Sequence, residues 1–250
     1  MFLSPARAKV WLLRSDKSLA AWRALGARLR ANRQMAGSAT TKTLGYVEFF
    51  LGPMFSEKTT EVGRRIKRAR LGGLNCVFVK NAADVRYGAG PVIHTHDGGS
   101  FSTSPATGSL GRLRVVEAHN LLDVELSPDE LVIGVDEGQF YSDLRRALDF
   151  WTQEGRQVYV AALDGDFRRN VFPPVAEAFP LASRIVKLTA VCMLCAGRGR
   201  SRPIEAPYTL RTVEDTTVKL IGALDKYKAA CPACYLDYHK TANISGADSA

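Results

Sequence analysis

The sequence has no apolar run that approaches the roughly 18 residues of a membrane span. Its N-terminal segment also lacks the long apolar stretch of a secretory signal. These absences argue against a membrane protein. They also argue against disulfides, because disulfides persist in oxidising compartments that a protein reaches through secretion. The sequence shows no internal repeat.

Acidic residues are scarce in one part of the chain only. Residues 1–34 carry eight basic side chains and a single acid, Asp16. The other residues carry 26 basic and 24 acidic side chains, so +2 of the total charge of +9 belongs to them. Because this body is nearly neutral, a basic surface for DNA or RNA applies to the tail alone. We therefore expect no nucleic-acid partner.

The acid-poor, Arg-rich segment 1–34 has the composition of an organellar transit peptide. Two simpler explanations stay open. The segment is a disordered tail, or translation begins at Met35 and a short polar lead follows it. We expect a cytoplasmic protein unless residues 1–34 act as an import signal.

Strand-like and helix-like segments alternate from residue 45 to about residue 191, which predicts an α/β fold with a mainly parallel sheet flanked by helices. Cysteine pairs follow and predict a small metal-stapled lobe. The expected domains are a basic tail (1–44), an α/β nucleotide-binding domain (45–191), the cysteine lobe (192–240) and a disordered C-terminal tail (241–250).

The segment 52–59 fits the phosphate-binding pattern G-x-x-x-x-G-K-[ST] at all fixed positions but one. Its residues are Gly52, Pro53, Met54, Phe55, Ser56, Glu57, Lys58 and Thr59. A strand-like run precedes it and a helix-like run follows it. A strand, a phosphate-binding loop and a helix N-terminus together form an anion site.

The missing glycine is the second one, which Glu57 replaces. Glycine lets the backbone approach a phosphate closely, whereas a carboxylate repels it. Glu57 predicts a loss of a hundredfold or more in binding or rate, unless its side chain turns outward or pairs with Lys58 or Arg64.

Four cysteines form two C-x-x-C pairs, Cys192 with Cys195 and Cys231 with Cys234. Two such pairs are typical of a structural Zn²⁺ site, in which four thiolates complete a tetrahedron and leave no open position for catalysis. A disulfide interpretation requires an oxidising compartment.

Asp136 and Glu137 follow an apolar strand, where a P-loop protein carries its magnesium-facing acid. An Asp there can hold a metal-bound water, and the next carboxylate can act as a base. Taken alone, the same segment is equally compatible with a solvated acidic turn.

Taken together, these motifs resemble the thymidine kinases of the cellular type, or type II, which have a P-loop and a zinc lasso. The matching segments occur in the family's order across residues 45 to about 240: 52–56, 84–87, 95–97, 136–140, 161–165, 186–192 and 225–227.

The resemblance implies a transfer of the γ-phosphate of ATP to the 5′-hydroxyl of thymidine, giving dTMP for pyrimidine deoxynucleoside salvage. Glu137 would be the base, Arg86 would stabilise the transferred phosphoryl group, and Lys58 would contact phosphates. Thr59 and Asp136 would hold Mg²⁺. ATP would contact residues 52–59, Asp136 and Gln139.

For the nucleoside, the resemblance implies a pocket of Met54, Phe140, Leu163, Phe167, Phe172, Thr209 and Tyr227, with the base edge read around residues 219–223. Met54, Leu163 and Phe172 would also pass as ordinary core residues. The resemblance further implies a dimer or tetramer and inhibition by the triphosphate end product. The alternative is an impaired kinase, disabled by Glu57, that acts as a nucleotide sensor or an assembly partner of an active homologue.

Overall fold

A parallel six-stranded sheet forms the centre of the protein. The computed structural model describes residues 44–83, 92–94, 100–102, 110–199, 202–213 and 226–247. All of them lie in the compact unit Thr43–Ala250. The sheet strands are β1 (Tyr46–Gly52), β2 (Asn75–Asn81), β5 (Leu113–Ala118), β6 (Glu130–Val135), β7 (Gln157–Leu163) and β8 (Arg184–Lys187). They lie in the order β5-β2-β6-β7-β1-β8 with every neighbouring pair parallel, which confirms the predicted α/β fold with a mainly parallel sheet.

Helices cover both faces of the sheet. They are α1 (Lys58–Leu71) on one face and α2 (Leu144–Gln153) and α3 (Pro173–Ala178) on the other. Strand β1 shows how the sequence produces this layering, because its side chains alternate between the two faces. Phe50 packs with Val62 and Ile66 of α1, whereas Phe49 packs in the opposite core with Leu148.

Gly134 of β6 allows α1 to lie close to the sheet. A Cβ atom at this position would be 2.6 Å from Cδ1 of Ile66 and 2.9 Å from a methyl carbon of Val62. A larger residue would therefore push the helix away. This packing matters for the site, because α1 begins where the candidate phosphate loop ends.

The cysteine lobe is built from short elements around its own core. These are β9 (Ala190–Val191), α4 (Met193–Gly197), β10 (Glu205–Ala206), β11 (Tyr208–Arg211), β12 (Tyr227–Ala230) and α5 (Pro232–Ala247). Strand β9 pairs with β10 and β11 pairs with β12, both antiparallel. Helix α5 extends through residue 247 and so enters the segment 241–250, where the sequence predicted a disordered tail.

The remaining strands are β3 (Val92–His94) and β4 (Ser100–Ser102), which pair antiparallel in the long segment between β2 and β5. No helix in the described ranges combines the length and the apolar character needed to cross a membrane.

Candidate active site

The candidate phosphate loop connects β1 to α1, as the sequence predicted, and it is closed by its own hydrogen bonds. The Ser56 hydroxyl donates to the carbonyl oxygen of Pro53 at 2.8 Å. The Lys58 ammonium donates to the same oxygen at 2.5 Å. Gly52 is required at the entrance, because a Cβ atom there would be 2.6 Å from both the Leu188 carbonyl oxygen and Ser56 Oγ. The loop therefore places Lys58 beside a helix N-terminus, where anions bind.

Glu57 occupies the position of the missing glycine and adopts a glycine-like backbone. Its φ of 59° and ψ of 26° lie in the left-handed region, and its side chain makes no capping hydrogen bond to α1. The residue is exposed. Arg64, one of the two partners considered from sequence, pairs instead with Glu61 at 2.5 Å. The predicted loss had two exceptions, an outward side chain or an ion pair, and the exposure of Glu57 agrees with the first.

Thr59 and Asp136 meet across the site, although 76 residues separate them in sequence. The Thr59 hydroxyl donates to Asp136 Oδ1 at 2.8 Å. Thr59 lies in the first turn of α1, and Asp136 directly follows β6. Hydroxyl and carboxylate oxygens are ligands that Mg²⁺ accepts. The pair therefore fits the composition of a P-loop magnesium site.

Glu137 stands next to this pair and is held by Gln139. Glu137 also has a left-handed backbone, with φ of 51°. The Gln139 amide nitrogen donates to Glu137 Oε2 at 2.5 Å, and its amide oxygen accepts from the backbone N–H of Leu163 at 3.0 Å. Gln139 is buried. The sequence assigned Gln139 to the cofactor, whereas its contacts place the amide between Glu137 and the end of β7.

The residues predicted to line the nucleoside pocket do not all have the same surroundings. Phe172 is 7% exposed and packs in the core against Val175, so it behaves as the core residue that the sequence also allowed. Phe140, Leu163 and Phe167 are half-buried.

The other three predicted pocket residues lie where the phosphate loop meets the cysteine lobe, and they are Met54, Thr209 and Tyr227. Thr209 accepts a hydrogen bond from the backbone N–H of Met54 at 3.0 Å, which ties the lobe to the phosphate loop. Tyr227 accepts one from Arg211 at 2.5 Å. Arg86 lies outside the described residues, as does the segment 219–223.

Comparison with known proteins identifies the family. The thymidine kinase family model matches residues 45–235. The thymidine kinase of Variola virus is 39% identical over 194 residues, which cover 77% of this chain and 98% of the viral protein. The thymidine kinase of vaccinia virus strain Western Reserve has the same identity and coverage. That of raccoon poxvirus is 37% identical over 193 residues, again 77% of this chain and 98% of the viral protein.

The chain belongs to the thymidine kinase family.

The cysteine cluster of this thymidine kinase family member fits a zinc site. Its four thiol sulfurs lie within 4.8 Å of one another, and all four residues are buried. Cys195 Sγ is 3.5 Å from Cys234 Sγ and 3.9 Å from Cys231 Sγ. Sulfurs bound at about 2.3 Å around one Zn²⁺ would be about 3.8 Å apart. Burial and the neighbouring thiols raise the pKa of Cys234 to about 12. For Cys192, burial opposes ionisation, but hydrogen bonds from the backbone of Cys231 and Cys195 outweigh burial and lower the pKa to about 7. A bound cation would stabilise the thiolate form of all four side chains.

Sequence reasoning missed three residues at the junction of lobe and sheet. Arg211 is buried, with its guanidinium carbon 3.9 Å from the centre of the Phe167 ring. Tyr235 and Arg169 contact the same region. A charged residue inside a short β segment was the available signal for Arg211. The sequence contained no such signal for Tyr235, because an aromatic residue after a cysteine pair can equally well be an ordinary core residue.

Proposed function

We propose that the protein is an ATP- and Mg²⁺-dependent thymidine kinase that transfers the γ-phosphate of ATP to the 5′-hydroxyl of thymidine and releases dTMP and ADP. The observation that carries the proposal is the 2.8 Å hydrogen bond between Thr59 and Asp136 at the end of a P-loop, with a second carboxylate next in the chain. Membership of the thymidine kinase family supports thymidine as the acceptor.

In the proposed reaction, Glu137 accepts the proton of the 5′-hydroxyl as that oxygen bonds to the γ-phosphorus. The bond from this phosphorus to the β–γ bridging oxygen breaks, and the electron pair leaves with ADP. Glu137 suits this role because Gln139 fixes its carboxylate and because it follows the metal-facing Asp136. A positioned base contributes about 10²–10⁴-fold to such a step.

The other residues of the proposed site would act on the phosphate groups, either directly or through Mg²⁺. Lys58, whose ammonium now bonds to Pro53 and Ser56, would exchange these partners for phosphate oxygens. Thr59 and Asp136 would hold Mg²⁺, which neutralises charge on the β- and γ-oxygens when bound. Arg86 would stabilise the transferred phosphoryl group.

On the acceptor side, Phe140 would stack on the thymine ring, and Met54, Leu163, Phe167, Thr209 and Tyr227 would line the pocket. Phe172 would act from the core behind them, since it packs against Val175. The four-cysteine cluster would hold a structural Zn²⁺ and has no part in the chemistry.

Three further properties belong to the proposal. We propose that the protein is a cytoplasmic dimer or tetramer and that the triphosphate end product inhibits it. A monodisperse monomer in light scattering at micromolar concentration would contradict the oligomer. A fluorescent protein fused behind residues 1–34 tests the location, because uptake into organelles would identify an import signal and contradict the cytoplasmic location.

The decisive experiment measures ATP- and Mg²⁺-dependent formation of dTMP by the purified chain, beside Glu137→Gln and Thr59→Val. Both variants preserve side-chain size, so a fold defect is not expected. We expect turnover by the natural chain and a loss of about 10²-fold or more in kcat for Glu137→Gln. Thr59→Val should require a higher Mg²⁺ concentration. Absence of dTMP from the natural chain, with correct folding by circular dichroism, would overturn the proposed function.

A further inference from the structure

The loop that follows β7, residues 164–172, carries Phe167 and is ordered by its own acidic residue. Asp166 Oδ1 accepts hydrogen bonds from the backbone N–H groups of Arg168 and Asn170, both at 2.8 Å. The backbone N–H of Asp166 donates to the carbonyl oxygen of Asn170 at 2.9 Å. These bonds fix the shape of the turn, but none of them connects it to another part of the protein.

At the start of the loop, Asp164 forms an ion pair with Lys187 of β8. Tyr235 connects the part of the loop around Phe167 to the cysteine lobe. It directly follows Cys234, is 4% exposed, and packs in the lobe core with the four cysteines. Its hydroxyl donates to the carbonyl oxygen of Phe167 at 2.7 Å, across 68 residues of sequence. The Tyr235 side chain alone therefore links the residue next to Cys234 with the Phe167 backbone.

Arg169 adds a second connection between the same two parts. Its guanidinium carbon lies 4.9 Å from the ring centre of Tyr235 and 5.5 Å from that of Tyr208, within the range of cation–π attraction. The two rings contact each other edge to face, with centres 5.3 Å apart. Arg169 has a left-handed backbone, with φ of 67°. Such a backbone persists in a non-glycine residue when the surroundings hold it.

A third contact holds the Phe167 side chain. The guanidinium of Arg211, on β11 of the lobe, stacks 3.9 Å from the ring centre of Phe167 and donates to the Tyr227 hydroxyl. The lobe therefore fixes both the backbone and the ring of Phe167.

We infer that Tyr235 and Arg169 are positioning residues that couple the four-cysteine cluster to the loop carrying Phe167, so that thymidine affinity depends on the metal-stapled lobe. The thymidine part of this inference rests on the proposed function. The phosphate loop has a separate link to the lobe through Thr209 and Met54. Loss of the Tyr235 hydroxyl should therefore weaken thymidine binding and leave ATP binding almost unchanged.

The test compares Tyr235→Phe and Arg169→Gln with the control Tyr208→Phe. The control removes a hydroxyl from the same aromatic cluster but retains the ring beside Arg169 and the bond from Tyr235 to Phe167. We expect the KM for thymidine to rise about tenfold in Tyr235→Phe and about threefold in Arg169→Gln. The KM for ATP should change less than twofold, and Tyr208→Phe should match the natural chain.

Hydrogen–deuterium exchange of the peptide 164–172 provides a readout that needs no catalysis. Exchange should become at least tenfold faster in Tyr235→Phe, and also in the natural chain after a chelator removes the metal, but not in Tyr208→Phe. If exchange accelerates as expected while the natural chain makes no dTMP, the coupling holds and the proposed function fails. If the natural chain makes dTMP while thymidine KM and exchange are unchanged in Tyr235→Phe, the coupling is wrong.

Discussion

At the scale of single residues, Glu57 combines two unfavourable properties whose effects can be separated. Its left-handed backbone costs a non-glycine residue about 1–2 kcal/mol. Its carboxylate carries charge of the same sign as a polyphosphate. Because the residue is exposed, water screens that charge. The structure therefore favours a smaller effect than the hundredfold loss predicted from sequence.

We predict that Glu57→Gly stabilises the protein by about 0.5–1 kcal/mol, because relief of the backbone exceeds the added freedom of the unfolded chain. Glu57→Gln should not stabilise it, since the strain stays. Both variants should lower the KM for ATP about fivefold, as a unit charge a few Å away in a water-like dielectric is worth about 1 kcal/mol. Urea unfolding and initial rates give both quantities.

A hundredfold gain of activity in Glu57→Gly but not in Glu57→Gln would contradict this assignment of the stability effect to the backbone and of the ATP-binding effect to the charge. It would mean that the backbone of the loop, rather than its charge, limits the natural chain.

Gln139 and Tyr235 show where residue-level prediction from sequence ends. The P-loop lysine, the metal-facing pair and the four cysteines are recognisable because fixed chemistry imposes a fixed spacing on them. Gln139 was recognised as part of the motif, but its contacts with Glu137 and Leu163 depend on how two strand ends meet. Tyr235 acts across 68 residues, and no local pattern encodes such a contact.

At the scale of elements, a buried carboxylate joins β1 to α1. Glu48 is 1% exposed and accepts two hydrogen bonds from Arg65, at 3.1 Å and 2.9 Å. It also accepts one from the Tyr46 hydroxyl, and Arg184 lies 3.5 Å away. Burial opposes the ionisation of Glu48, but the bonds from Arg65 and Tyr46 outweigh it and lower the pKa of the carboxyl. The strand that leads into the phosphate loop is thereby fixed to the helix that leaves it.

The sign of the pH dependence follows from that lowered pKa. The ionised Glu48 carboxylate stabilises the fold at pH values above its ordinary pKa of 4.5. This stabilisation is lost as the pH falls through the lower pKa that Glu48 has in the folded state. We predict that Glu48→Gln costs about 2 kcal/mol at pH 7, because Arg65 loses its charged partner. The variant should also lose less stability than the natural chain between pH 5 and pH 3. Urea unfolding across this range measures both effects.

The control for Glu48 is Glu61→Gln on α1, which removes an ion pair to an Arg64 side chain that is 60% exposed. Surface pairs contribute about 0–1 kcal/mol, so little change is expected. Equal losses of stability in Glu48→Gln and Glu61→Gln would show that the buried Glu48–Arg65 pair contributes no more than a surface pair.

At this scale, apolar runs in the sequence predicted four inner strands of the sheet and one edge strand, β8, but not the other edge strand, β5. Strands β1, β2, β6 and β7 are rich in apolar residues, as is typical of strands buried on both faces, although Glu48 interrupts β1. Strand β5, residues Leu113–Ala118, lies at the edge and is only partly buried, and its charged residues Arg114 and Glu117 are exposed and interrupt the apolar pattern. Helix α5 was not predicted at all, and its last residues fall in the segment 241–250 that the sequence predicted to be disordered.

At the scale of the whole molecule, the cysteine lobe contacts both halves of the site, through Thr209 and Tyr235. We predict about one Zn²⁺ per chain by elemental analysis. A chelator should lower the melting temperature by about 10 °C, which for a chain of this size corresponds to about 3 kcal/mol. It should also make the four clustered thiols reactive.

Cys76→Ala is the matched control for Cys195→Ser. Cys76 is buried in β2, away from the cluster, and burial raises the pKa of its thiol to about 12, which makes it unreactive. Cys195→Ser should lose the metal, whereas Cys76→Ala should retain it. A full metal content in Cys195→Ser would show that the cluster is not the binding site.

The strand order of the sheet also matters while the ribosome synthesises the chain. Strand β1, with Val47, Phe49 and Leu51, pairs only with β7 and β8 within the described sheet. About 100 residues separate it from β7, and at about 5–20 residues per second a ribosome needs roughly 5–20 s to make them. During that time β1 has neither of its sheet partners, so its apolar side chains stay unburied and open to non-native contacts.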